Sequence, residues 1–153
     1  MIKKIFFSLM IWSICYSTFS QREEDSIKMA VNKLFTAMKS SDAVALKECF
    51  TDSSIMQTII YDKENKLLVK NESIYAFIET ISHLPKDAAD ERIVFDIIKI
   101  DSQLANVWAP YQFYYNKQFT HCGIDNFVLV KSSGKWKIQY LIDTRRKDGC
   151  MVN

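Results

Sequence analysis

Three glycines, two prolines and two histidines in 153 residues leave several common chemistries without their raw material. Gly123, Gly134 and Gly149 are scattered, and a phosphate-cradling loop needs its glycines clustered. His83 and His121 fall on different expected elements and no closely spaced cysteine pair accompanies them, so no metal site is expected. No apolar run reaches the roughly 20 residues of a membrane span; the longest, from Ile5 to Cys15, is interrupted by Ser8 and Ser13. Charge of one sign is also missing. Residues 1–20 carry two lysines and no acid, which leaves 18 basic against 18 acidic side chains in the remainder. A neutral domain without a basic stripe gives no basis for a nucleic-acid partner. Internal repeats and low-complexity segments are absent.

What is present is patterning. Lys3 and Lys4, the apolar run, and Thr18-Phe19-Ser20 follow the basic–apolar–small order of a secretory signal peptide. The expected division is a signal peptide over residues 1–20 and one domain over 21–153. That places the mature chain outside the cytoplasm, periplasmic or extracellular, with no membrane contact after cleavage. Cys49, Cys122 and Cys150 then remain, so at most one disulfide forms within a monomer. Cys122–Cys150 is the candidate pair and Cys49 the expected buried thiol.

Ile27, Val31, Leu34, Phe35 and Met38 share one helical face from Asp25 onward. Asp42 is placed to cap a short second helix that ends at Phe50 and buries Leu46, Cys49 and Phe50. Strands are expected at 55–61 and 66–69. A third helix, capped by Asn71, carries Ile74, Phe77, Ile78, Ile81 and Leu84 until Pro85. A polar linker, 86–91, leads to a strand over 92–100.

The closing stretch, 104–146, alternates apolar and polar residues between two turn signals, Asn116-Lys117-Gln118 and Ser133-Gly134, which is the pattern of an antiparallel meander. A three-residue first turn sets Tyr115 opposite Phe119, Phe113 opposite His121, Tyr111 opposite Gly123 and Val107 opposite Phe127. A two-residue second turn sets Leu129 opposite Ile138, Phe127 opposite Tyr140, Gly123 opposite Thr144 and His121 opposite Arg146. Val107, Phe127, Leu129, Trp136, Ile138 and Tyr140 then share the buried face. Helices followed by a one-sided sheet make the expected fold α+β: a cone-shaped roll, three N-terminal helices packed in a strongly curved antiparallel sheet.

The stretch Ser41-Asp42-Ala43-Val44-Ala45-Leu46-Lys47-Glu48-Cys49-Phe50-Thr51-Asp52 resembles the second-helix signature of nuclear transport factor 2-like proteins, and Gly134-Lys135-Trp136-Lys137-Ile138 resembles their last-strand signature. The run from Trp108-Ala109-Pro110-Tyr111 through His121-Cys122-Gly123 to Asp143-Thr144-Arg145 is similar to exported bacterial members, among them ones labelled lumazine-binding. The resemblance implies a cone with an internal pocket. It does not select a chemistry, because isomerases, dehydratases, cyclases and non-catalytic binders share the fold.

The register sends Tyr111, Phe113, His121, Asp125, Tyr140, Thr144 and Arg146 to the inner face. The favoured reading is a non-catalytic site for a small apolar or aromatic molecule lined by Tyr111, Phe113, His121, Tyr140 and Arg146, with no cofactor. The alternative is a metal-free isomerase, dehydratase or cyclase with Asp125 or His121 as base, Tyr111 and Tyr140 serving as donors to an oxyanion. An Asp125 held structurally by Arg146 or by a helix terminus is the plain alternative for that residue. An Asp125–His121 dyad is excluded along a regular strand, where the two stand roughly 13 Å apart. An open cavity with an inward carboxylate in reach of a tyrosine favours the enzyme; one without favours the binder; a filled cone favours an interaction module. Lys137, Gln139, Asp143 and Arg145 are expected outward, with Trp108, Pro110, Tyr114, Ile124, Val128, Val130 and Leu141 forming an outer apolar patch that suits a homodimer.

Overall fold

Apolar residues at helical spacing build the inner layer. The computed structural model describes the backbone of residues 2–150 and the side chains of residues 20–150. The signal-peptide expectation therefore falls almost wholly outside the described side chains. Helix α1 (Ile2–Ser40) buries Ile27, Val31, Leu34, Phe35 and Met38 along one stripe. Ser41, at φ 57°, turns the chain, and the Asp42 carboxylate accepts the Ala45 N–H at 2.9 Å to start α2 (Ala43–Cys49). Helix α3 (Ile74–Ser82) is capped by Ser73, whose hydroxyl accepts the Ala76 N–H, and not by Asn71. The expected cap lies too far back: Asn71 belongs to the preceding strand, and its side-chain oxygen accepts from Gln57 at 2.7 Å.

The strands are β1 (Phe50–Tyr61), β2 (Leu67–Glu72), β3 (Ala89–Ile93), β4 (Ile97–Asp101), β5 (Leu104–Tyr115), β6 (Gln118–Ser132) and β7 (Lys135–Thr144). They form one open sheet in the order β2-β1-β7-β6-β5-β3, with β4 also on β5. The fold is α+β as expected, three helices against a large sheet. The sheet is mixed, because β1 and β7 run parallel. The stretch read as a linker and a single strand is two strands, β3 and β4, both paired to β5. They part opposite Pro110, which has no N–H to donate, although its carbonyl accepts from Val94 at 2.9 Å.

Two bulges decide which side chains face inward. Asn116 and Lys117, at φ 50° and 65°, make a two-residue turn that pairs Tyr115 with Gln118 rather than Phe119. Thr120 is then left over as a bulge, and the two deviations cancel. Phe113–His121, Tyr111–Gly123 and Val107–Phe127 stand opposite one another as expected.

The second hairpin keeps Leu129 opposite Ile138, but Val128 then meets Tyr140, Phe127 meets Leu141 and Asp125 meets Asp143. Gln139 has no partner on β6, so every later residue of β7 is turned over. Leu141 and Asp143 are buried, and with Arg145 they face inward instead of outward. Tyr140 faces outward, its hydroxyl donating to Gln57. Arg146 bridges Cys122, not His121. The physical reason lies on the neighbouring strand. Between Phe50 and Ile55, β1 bulges as well. Its Thr51 hydroxyl donates to the Gln139 side-chain oxygen at 2.8 Å, and the Gln139 amide donates to the Ser53 carbonyl at 3.1 Å.

Val107, Phe127, Leu129 and Ile138 are closed to solvent, and the Phe35 ring meets Phe127 edge-on at 6.1 Å. On the outer face Trp108 stays 40% exposed and Ile124, Val128 and Val130 are half-buried, whereas Pro110 is buried and Arg92 covers the Tyr114 ring. Among the described residues no helix is long and apolar enough to cross a membrane.

Cys122 and Cys150 form a disulfide across 28 positions, and Cys49 is a buried free thiol. Closing a loop of that length constrains the unfolded chain by about 3–4 kcal/mol. Unfolded without reductant, residues 21–153 should expose only the Cys49 thiol to alkylation, and all three cysteines after reduction. Mass spectrometry of the alkylated chain reads the difference, and reduction should lower the urea midpoint.

Candidate functional site

The helices do not fill the curve of the sheet. A cavity of about 290 Å³ remains between α1, α3 and the inner face, room for roughly ten water volumes. One wall is apolar: Leu34, Phe35 and Met38 from α1, Phe77 from α3, Met56 from β1 and Leu141 from β7. The opposite wall carries Glu91, Tyr111, His121, Asp125, Asp143 and Arg145, and Glu72 stands at its edge.

Alternation places that polar wall. Tyr111, Gly123, Asp125 and Asp143 occupy inward positions of three consecutive strands, with Asp125 directly opposite Asp143. Glu91 lies opposite Phe113 on β3. Gly123 allows the close approach behind them: a Cβ there would stand 1.7 Å from the Thr144 carbonyl oxygen and 2.9 Å from the Tyr111 ring. Tyr111 lies over that glycine, its hydroxyl donating to the Thr144 carbonyl at 3.0 Å and to Asp143 Oδ2 at 3.2 Å. Arg145 Nε donates to the same Asp143 oxygen at 2.7 Å. The His121 ring sits between Tyr111 and Phe113, with centroids 5.7 and 5.2 Å away.

Asp125 is 4% exposed, and its Oδ2 meets no N–H or hydroxyl donor among the described residues. Its hydrogen-bonding neighbour is the Glu91 carboxyl. Two carboxyls can bond to each other only when one holds a proton. Burial, reinforced by the Glu91 charge, pushes Asp125 well above the usual carboxylate range. Burial likewise pushes Glu91 up to about 7, against the opposing effect of its hydrogen bond with Asp125. Burial and the nearby Arg145 charge lower His121, which favours the neutral ring. Burial also opposes the Arg145 charge, but its hydrogen bond and attraction to Asp143 outweigh this and raise it. Burial and Asp143 push the Tyr111 phenol upward, so it keeps its proton.

The sequence of residues 22–140 matches the profile of a family described as "Putative lumazine-binding". The chain belongs to that family. Its fold is that of the nuclear transport factor 2-like superfamily, with many similar solved structures. One from Shewanella baltica OS155, an NTF2-like protein of unknown function, is 19% identical with a TM-score of 0.63, over 83% of this chain and 96% of that one. Another, from Silicibacter pomeroyi DSS-3, is 16% identical with a TM-score of 0.65, over 83% and 98%. A third, from Methylobacillus flagellatus KT, is 20% identical with a TM-score of 0.63, over 82% and 93%. These likenesses describe the fold. No curated protein matches the sequence.

Within this lumazine-binding family member, the cavity gathers Tyr111, His121 and Asp125 from the expected site. Phe113 packs behind His121 instead of lining the space. Tyr140 and Arg146 face the other side of the sheet, and Arg146 reaches the Gly149 carbonyl. Asp125 does not meet Arg146 and stands against Glu91. Glu91, Asp143 and Arg145 were missed. Extending the alternation of Ile93 two residues back would have found Glu91; the bulge at Gln139 hides the other two. No group of three His, Cys, Asp or Glu among the described residues is arranged to hold a metal.

The carboxyl pair ties stability to pH. Folding raises both groups above the unfolded carboxyl range, so they stabilise the fold below about pH 4.5, and Glu91 loses its contribution as pH rises through about 7. Urea unfolding should therefore show stability falling between those values, and Glu91→Gln should flatten the fall. A rise over that interval that Glu91→Gln leaves unchanged would remove the shared proton.

Proposed function

We propose that the cone holds one small, flat molecule, its apolar body against Phe35, Phe77 and Leu141 and its polar edge against Asp125 and its neighbours. A cavity with one apolar and one ionisable wall carries this reading, since such pockets bind by area and orient by a few polar groups. The family description supports a lumazine-like heterocycle, a flat bicycle with N–H and carbonyl groups at its edge. Equilibrium fluorescence titration with lumazine tests this. Phe77→Ala should weaken binding several-fold or more, whereas Tyr140→Phe and Arg146→Ala, on the far side of the sheet, should leave it unchanged. Loss in the two outer variants and none in Phe77→Ala would move the site.

A metal-free isomerase, dehydratase or cyclase is the second reading. One observation favours it: the cavity is open, and one inward carboxylate, Asp143, lies within bonding reach of Tyr111. Against it, the one phenolic proton of Tyr111 is already divided between Asp143 and the Thr144 carbonyl, leaving no donor for a developing oxyanion. Tyr140, the other donor of that scheme, faces outward. Binding is the better reading of this wall.

The chain's setting belongs to the same proposal. The patterning of residues 1–20 and the Cys122–Cys150 bond support export to an oxidising compartment, after which the domain works free of the membrane. Trp108, Ile124, Val128 and Val130 on the outer face support a homodimer through that surface. Val128→Glu at its centre should then shift the protein to monomer in sedimentation velocity. A wild-type chain already monomeric at tens of micromolar contradicts the dimer.

A further inference from the structure

Four carboxyl groups line the cavity, Glu72, Glu91, Asp125 and Asp143, against one guanidinium, Arg145. That guanidinium is committed to Asp143 at 2.7 Å. Glu72 has its own partner outside, Lys70 at 2.9 Å. The surplus is Glu91 and Asp125, which face each other on β3 and β6 with no lysine or arginine between them and Arg145 felt only across the pocket. Asp125 Oδ2, fully enclosed, meets no N–H or hydroxyl donor among the described residues, and the Asp125 carboxyl has only the Glu91 carboxyl to bond with. A buried carboxyl at a cavity wall whose only bonding neighbour is a second carboxyl is an unmet demand for donors.

We propose that the polar edge of the ligand is cationic, a planar N–H-bearing group of the amidinium or protonated aminoheterocycle class, that docks on Glu91 and Asp125 and displaces the proton they share. The inference rests on the cone being a binding pocket and names the charge of what it takes. An anion would have to compete with Asp143 for Arg145 while approaching three further carboxyls. A neutral molecule would satisfy Asp125 but leave the acidic surplus uncompensated. A planar cation offers parallel N–H groups to paired carboxylate oxygens, the arrangement that makes such contacts strong, and its flat face suits the apolar wall of Phe35, Phe77 and Leu141.

The other groups facing the pair do not reverse this balance. From β5 and β6 come Tyr111, which keeps its proton, and His121, shifted toward its neutral form. From β7 come Asp143 and Arg145, already paired, and from β2 comes Glu72. The lining residues of α1 and α3 carry no charge. With Glu91 held near 7, each cation bound at acidic pH must expel at least one proton, so affinity should rise with pH up to about 7, by about tenfold per pH unit for each proton expelled.

Three probes of one shape and different charge test the idea: benzamidinium, benzamide and benzoate, titrated into the isotope-labelled chain by amide NMR. At about pH 8, above the Glu91 titration, benzamidinium should bind at least about tenfold tighter than benzamide, with benzoate weakest. Its affinity should climb from about pH 5 to about pH 7, and Glu91→Gln should remove both the preference and most of the climb. Benzoate binding best, equal affinity for all three, or a flat pH response of the wild-type chain overturns the cationic assignment. Should the probes shift the amides of Phe77 and Leu141 without any order by charge, only this inference falls. If none of them touches those amides, the pocket reading falls with it. The wild-type pH series decides the question even where Glu91→Gln fails to fold, and Asp125→Asn supplies a second variant.

Discussion

Gln139 has no opposite number on β6, and the amide and carbonyl of its side chain are taken up by Ser53 and Thr51 of the bulged segment of β1. Two irregular stretches on adjacent parallel strands thus satisfy each other. Ser54 completes the contact by donating to the Ile138 carbonyl at 2.6 Å. A bulge alone would leave backbone groups unpaired at a buried strand, which costs as much as a lost hydrogen bond. Matched bulges avoid that cost. The consequence runs down the rest of β7. A residue inserted before Tyr140 turns Leu141, Asp143 and Arg145 into the cone and sends Tyr140 to the outer face, where it bonds Gln57. The composition of the pocket wall depends on this one mated irregularity.

Having four carboxyls in one cavity raises the question of how the fold tolerates them. It does so in two ways. Asp143 is neutralised by Arg145 and anchored by the Tyr111 hydroxyl, giving a fixed and fully partnered cluster. Glu91 and Asp125, without a cation, reduce their charge by holding a proton between them, since desolvation favours the neutral form of both and the Glu91 charge adds to it at Asp125. The two solutions have different functional consequences. The first gives a rigid wall. The second leaves a pair whose charge responds to what enters.

Much of the scaffold was legible because it depends on local periodicity. The stripe Ile27, Val31, Leu34, Phe35 and Met38, the Asp42 cap and the inner residues Val107, Phe127, Leu129, Trp136 and Ile138 all stand where spacing puts them. In the first hairpin, a tighter turn and a bulge at Thr120 compensate, so the deeper register survives a wrong turn length. In the second hairpin nothing on β6 or β7 compensates for Gln139. Its cause sits on β1, nearly ninety positions away in sequence, and alternation within β7 carries no trace of it. That is why Tyr111, His121 and Asp125 were found and Asp143 and Arg145 were not. Glu91 was lost for a different reason: a charged residue just before a strand reads as loop, and only its pairing with Phe113 reveals the strand.

The disulfide bears on the same wall from behind. Cys122 lies between His121 and Gly123 and points to the outer face, where Cys150 closes on it. Arg146 and Cys122 exchange backbone hydrogen bonds at 2.9 Å in each direction, so the chain leaving β7 is tied down both covalently and through its backbone immediately after Arg145. That tie limits how far Arg145 can swing from Asp143, although its side chain is 45% exposed. It also keeps the Thr144 carbonyl against Gly123, where no side chain could fit and where Tyr111 takes its hydrogen bond. The wall that would orient a ligand is therefore held by the sheet and its covalent tie. The wall that would cover the ligand comes from α1 and α3, which meet the strands through side chains; α1 adds the Lys39–Asp90 and Lys131–Glu23 ion pairs and accepts one backbone bond from Asp87, just before β3. Preorganised polar groups opposite an apolar cover favour recognition of a ligand's edge over its outline.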